Sequence, residues 1–78
     1  MPHISVSLWP GKSALQHQAL SDAIVKSVVQ TLGYGEDAIS VGFAEVDPAD
    51  WMEKVFQPEI AGRWTTLTKQ PGYGPDVP

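Results

Sequence analysis

Pro2-His3-Ile4-Ser5-Val6-Ser7-Leu8 is the stretch on which the fold turns. Ile4, Val6 and Leu8 alternate with His3, Ser5 and Ser7, the period of two of a strand buried on one face. Pro10-Gly11 breaks the pattern, and Ser13 is suited to cap a helix. From about Ala14 to Leu32, apolar Leu20, Ala23, Ile24, Val28 and Leu32 recur at steps of three and four. Gln16, Gln18, Asp22 and Lys26 are available for the wet side. Gly33-Tyr34-Gly35 supplies a left-handed stop.

A second strand is expected at about 38–46, with Ile39, Val41 and Phe43 on one side and Ser40, Gly42 and Ala44 on the other. Two strands joined by about thirty residues that contain a helix predict a parallel βαβ unit with a right-handed crossover. Beyond it, Asp47-Pro48 is a cap followed by an N1 proline, opening a short turn that carries Trp51, Val55 and Phe56. Pro58 is expected to restart a helix through about Thr68, with Ile60, Trp64 and Leu67 as its stripe. Residues 69–78 hold three prolines and two glycines and are expected as an extended, partly mobile tail. The predicted fold class is α+β, in one domain covering 1–78.

At 78 residues, a chain buries only about 60–65% of its unfolded surface and is marginal as a monomer. There is no cysteine to staple it. His3 and His17 lack the spacing of a helical metal pair. Oligomerisation is the remaining route, and a two-stranded sheet with a helix on one face leaves both edges to be covered. An isologous homodimer that builds one four-stranded sheet is the simplest closed solution. Three Trp, two Tyr and two Phe are a generous supply of interface anchors. Five basic against nine acidic residues, net −4, argue against nucleic acid, which is gripped by clustered Lys and Arg. No apolar run has the length of a membrane span, and no leader pattern is seen. The expected compartment is the cytoplasm.

Pro2 carries the chemistry. Removal of Met1 would make its nitrogen a free secondary amine on a ring of fixed φ. An ordinary α-amino group has a pKa of about 7.7–8.0, so desolvation or a neighbouring cation would bring it towards neutrality. A general base works best near the operating pH. A parallel pair puts the start of the second strand, near Ile39 and Ser40, beside Pro2. Lys12 lies past the opposite end of a strand about 20 Å long. It could reach the amine only from a neighbouring subunit packed antiparallel.

The chain resembles the tautomerase superfamily, whose best-known member is 4-oxalocrotonate tautomerase. The resemblance rests on Pro2-His3-Ile4, the helix from Leu20 to Leu32, the strand Ile39-Ser40-Val41 and the segment after it. Asp47-Pro48-Ala49-Asp50-Trp51 and Lys69-Gln70-Pro71-Gly72-Tyr73 look most like the dimeric bacterial branch typified by PptA. The resemblance implies a cofactor-free keto–enol tautomerase, with the imino nitrogen of Pro2 as the base. It also implies substrate contacts at Lys12, Ser40 and Trp51. Here the pattern departs from the hexameric members, which place arginines after the first strand and early in the second. This chain has Lys12 and uncharged Ser40 there, and a lysine cannot make the bidentate fork of an arginine. A monocarboxylate with an aromatic or apolar body, such as an arylpyruvate enol, fits better than a dicarboxylate.

Each residue has a plainer reading beside this one. Lys12 is otherwise a solvated loop lysine, Trp51 a core or interface tryptophan, and Ser40 a small residue facing a helix. Arg63 reads as a surface residue, His3 as an interface residue and His17 as solvent-exposed. Asp47 and Asp50 read as caps. Trp9 and Trp64 are assigned to packing, and Tyr73 to pinning the tail. Two other functions stay open. A protonated Pro2 would serve as a general acid in hydratase or dehalogenase chemistry. A retained Met1 would leave Pro2 an amide and the chain a non-catalytic binding module.

Overall fold

A computed structural model describes residues 1–74, which gather into two compact units that divide between Glu45 and Val46. Residues 75–78, the end of the expected tail, lie outside the described residues.

In the first unit, the alternating stretch forms strand β1 (His3–Leu8), followed by helix α1 (Ala14–Leu32) and strand β2 (Ser40–Glu45). β1 and β2 are parallel and in register from His3↔Ser40 to Leu8↔Glu45. The sheet face bearing Ile4, Val6, Leu8, Val41 and Phe43 is half-buried, whereas His3, Ser5, Ser40 and Ala44 on the other face are exposed.

The ends of α1 follow from local chemistry. Ser13 and Gln16 form a reciprocal capping box: Ser13 N–H donates to Gln16 Oε1 at 2.9 Å, and Gln16 N–H to Ser13 Oγ at 3.1 Å. Gly33 stops the helix at φ 78°, its N–H donating to the Val29 carbonyl. That positive φ favours a residue without Cβ.

The stripe of α1 is rotated from the expected one. Ile24 and Val28 are half-buried as expected, together with His17, Ser21, Val25 and Val29, while Leu20, Ala23 and Leu32 are exposed. The helix has apolar residues over more of its circumference than two strands can cover. His17, expected in solvent, lies half-buried with its ring stacked on Phe43 at 4.8 Å and 10°. That stacking fixes which arc faces the sheet. β2 is shorter than expected because a 3₁₀ turn, Glu36–Ala38, precedes it. The Ala38 and Ile39 N–H groups donate to Gly35 and Glu36 and are not available to a ladder.

The second unit starts as read, with Asp47 Oδ1 accepting from Ala49 N–H at 3.0 Å and Pro48 at the first position of α2 (Pro48–Trp51). Asp50 is no cap; its carboxylate faces Lys54 Nζ at 3.6 Å, an exposed pair of small energetic weight. Pro58 does not restart a helix. It lies inside a π-helical segment, Met52–Ile60, which continues into a 3₁₀ segment, Ala61–Thr66. Proline removes an N–H donor and crowds the preceding turn, and the wider π turn absorbs both. Arg63 then bends the backbone at φ −128°, ψ 24°. Val55 and Phe56 are buried; Phe56, only 2% exposed, is the centre of this unit.

Candidate active site

Pro2 stands at the mouth of the parallel pair. It is half-buried, and its carbonyl accepts the Ser40 N–H at 3.2 Å, extending the ladder one step beyond β1. With Met1 attached the Pro2 nitrogen is an amide and cannot take a proton. Met1 itself is 91% exposed.

The register puts His3 directly opposite Ser40, and the two side chains meet: His3 Nδ1 and Ser40 Oγ are 2.6 Å apart. Within the described residues the Ser40 side chain meets His3 across the strands. It is exposed and bonded to His3. Sequence alternation had set His3 off the apolar face, but only the cross-strand register reveals its partner.

Lys12 is exposed in the connection after β1, beyond the strand end opposite Pro2. Trp51 belongs to the second unit, where it is half-buried and its indole N–H donates to the Tyr73 hydroxyl at 2.9 Å. The Tyr73 ring lies 5.7 Å from Phe56, tilted at 44°. Tyr73 thus ties the chain after the 3₁₀ segment to the buried centre of its unit. Gly74 follows at φ 116°, where a Cβ would run into the Phe56 ring.

Trp9, assigned to packing, and His17, expected in solvent, both depart from the surroundings expected of them. Trp9 is 57% exposed. His17 has its Nε2 shielded from solvent, with no hydrogen-bond partner among the described residues. A hollow of about 570 Å³ opens along α1, lined by Asp22, Val25, Lys26, Val29, Gln30 and Glu36. None of the four expected site residues borders it. Among the described residues, no three His, Cys, Asp or Glu side chains gather to hold a metal ion. No helix there is long and apolar enough to cross a membrane.

The family model described as "Tautomerase enzyme" matches residues 2–55, from Pro2 onward. The chain belongs to the tautomerase family. This tautomerase is 40% identical over 74 residues to tautomerase PptA of Cronobacter sakazakii, covering 94% of this chain and 97% of that protein. It is 38% identical over 74 residues to a probable tautomerase of Xylella fastidiosa, covering 95% of this chain and 90% of that protein. Among solved structures, it is similar to TomN, a 4-oxalocrotonate tautomerase homologue in the tomaymycin biosynthetic pathway. The TM-score is 0.62 at 31% identity, with 82% of this chain and 95% of that chain covered. The similarity to PptA puts this tautomerase in the PptA-type branch, and its reaction class is isomerase. Its fold is the βαβ tautomerase fold.

Proposed function

We propose that this tautomerase, once Met1 is removed, uses the Pro2 secondary amine as the general base of a cofactor-free keto–enol isomerisation. The substrate is a small enol or 2-oxo carboxylate with an arylpyruvate-like body. The observation that carries the reading is that the family match begins at Pro2, a half-buried residue at the open end of the parallel pair. In the enol-to-keto direction the nitrogen lone pair takes the enol proton. The oxygen electrons form the carbonyl, and the carbon–carbon π pair takes a proton back from the ammonium. The base is regenerated, and no group is left on the protein.

Ser40 is the polar neighbour on the same strand end, and we assign it a hydrogen bond to a substrate oxygen. Trp51 is assigned to the apolar wall for the aromatic body. Lys12 sits beyond the other end of β1, so its assigned role requires the neighbouring protomer of an antiparallel homodimer. Trp9 and Leu32 are exposed apolar side chains available to such an interface. The family match runs across the division at Glu45–Val46, which supports reading the chain as a single domain.

The test is chemical. Material of intact mass lacking Met1 should turn over an arylpyruvate enol, and acetylation of the terminal nitrogen should abolish that turnover. Turnover that survives acetylation overturns the reading. A kcat/KM that rises as the pH passes the amine's pKa indicates a base. A fall over the same range indicates the protonated, hydratase-like alternative.

A further inference from the structure

The pair formed by His3 and Ser40 has no part in folding that the structure reveals. Both residues are exposed, so the bond stabilises a surface that water would satisfy equally well. Yet their separation, 2.6 Å, lies at the short end of hydrogen-bond distances. Its position is what gives it meaning. His3 follows Pro2 in the chain, and the Ser40 N–H is bonded to the Pro2 carbonyl across the strands.

Charge around this end adds a second argument. Within residues 1–45 the cationic side chains are Lys12 and Lys26. Lys12 is past the far end of β1, and Lys26 is on the exposed side of α1, lining the hollow with Asp22 and Glu36. The turn that leads into β2 carries Glu36 and Asp37. A carboxylate brought to Pro2 therefore meets no cation from its own first unit, and the donors which that unit itself offers its oxygens are neutral or imidazole groups, beside whatever the neighbouring protomer's Lys12 supplies.

We infer that His3 is a positioning residue: its Nδ1–H donates to Ser40 Oγ, so that the Ser40 hydroxyl proton is aimed at an oxygen of the substrate held beside Pro2. A free serine hydroxyl rotates among acceptors. With one lone pair engaged by His3 its proton has fewer directions, and the loss of freedom on binding is smaller. The pair takes over, with one directed neutral donor, the anion contact for which this strand end has no arginine. This inference rests on the Pro2 reading above, since it supposes a substrate at that end.

The geometry makes the test specific. An asparagine amide nitrogen is the same number of bonds from Cα as His Nδ1, whereas a glutamine reaches as far as Nε2. The enzyme free of Met1 would be assayed with an arylpyruvate enol and with its methyl ester, which lacks the carboxylate charge. Ser40→Ala and His3→Leu should each raise KM for the acid about five- to tenfold, the worth of one hydrogen bond, with a much smaller change in kcat. His3→Asn should recover most of the loss, and His3→Gln should not. The double variant should be no worse than Ser40→Ala alone, because both remove one interaction. With the ester, the variants should differ little from the parent.

An unchanged KM in Ser40→Ala overturns the inference, as does a His3→Asn that behaves like His3→Leu. If His3→Leu instead shifts the mass by light scattering while Ser40→Ala keeps its KM, the pair is an interface contact and the inference falls. Acetylating the terminal nitrogen in parallel separates the two readings. Turnover lost on acetylation with KM unmoved by Ser40→Ala sinks only this one, and turnover retained sinks the Pro2 reading itself.

Discussion

At the scale of single residues, the proposed chemistry rests on Pro2 and its neighbours. General-base catalysis contributes about 10²–10⁴-fold, so Pro2→Ala, whose primary amine is less constrained, is expected to lower kcat/KM by at least about a hundredfold in a steady-state assay. Retention of near-parental rates would mean that the proton is moved elsewhere. Tyr73 makes a different prediction. Its hydroxyl accepts from the Trp51 indole, and Tyr73→Phe leaves a half-buried N–H without that acceptor. A loss of about 1 kcal/mol is expected, seen as a lower Tm by circular dichroism, because Trp51, Tyr73 and Phe56 belong to one cluster of the second unit. An unchanged Tm would mean that water replaces the acceptor without cost.

The elements were largely readable because their boundaries are local. Ser13, Gly33 and Asp47-Pro48 act through hydrogen bonds and φ angles that involve residues a few positions away. The structure has α1 and α2 starting where those residues stand. Ser13→Ala removes the hydroxyl acceptor of the capping box and is expected to lower stability by about 1 kcal/mol in urea denaturation. Gln16→Ala should cost less, since it deletes only the returning contact to the Ser13 N–H. A cap substitution without effect would mean that the helix start frays in solution. At Pro58 the structure departs from the expected element, because proline is a strong local signal for a new start. A π-helical turn accommodates it, and that depends on how Val55 and Phe56 pack at the centre of the unit, which is not a local matter. The stripe of α1 differs from the expected one for a related reason: periodicity identifies apolar arcs, but packing, including the stacking of His17 on Phe43, selects the arc that meets the sheet.

For the whole molecule, the telling quantity is how little is covered. No side chain of α1 is fully buried, and Trp9 and Leu32 are 57% and 60% exposed. Burial of such apolar surface is the main favourable term in association, so the melting temperature is expected to rise with protein concentration. A Tm independent of concentration over a hundredfold range, with a monomer mass throughout, would overturn the proposed homodimer. The same dimer makes a prediction about the site. If Pro2 of one protomer works with Lys12 of the other, Pro2→Ala and Lys12→Ala proteins, each impaired, should regain activity when unfolded and refolded together. The mixed dimer carries one intact pair. Absence of complementation, with mixed dimers shown by mass, would leave Lys12 a solvated loop residue.

What the sequence by itself determined was everything encoded at short range: the period of two in β1, the caps and the glycine stop of α1, and the order strand–helix–strand that makes Pro2 the start of a parallel pair. These depend on backbone geometry and neighbouring side chains, which a linear string contains. Only the tertiary structure decided that His3 meets Ser40, that His17 lies on Phe43, that Pro58 sits inside a π turn, and that Tyr73 holds Trp51. Each of these joins residues whose approach depends on strand register or on packing around a buried ring. Register and packing are settled by many weak contacts together, so no single stretch of the chain spells them out.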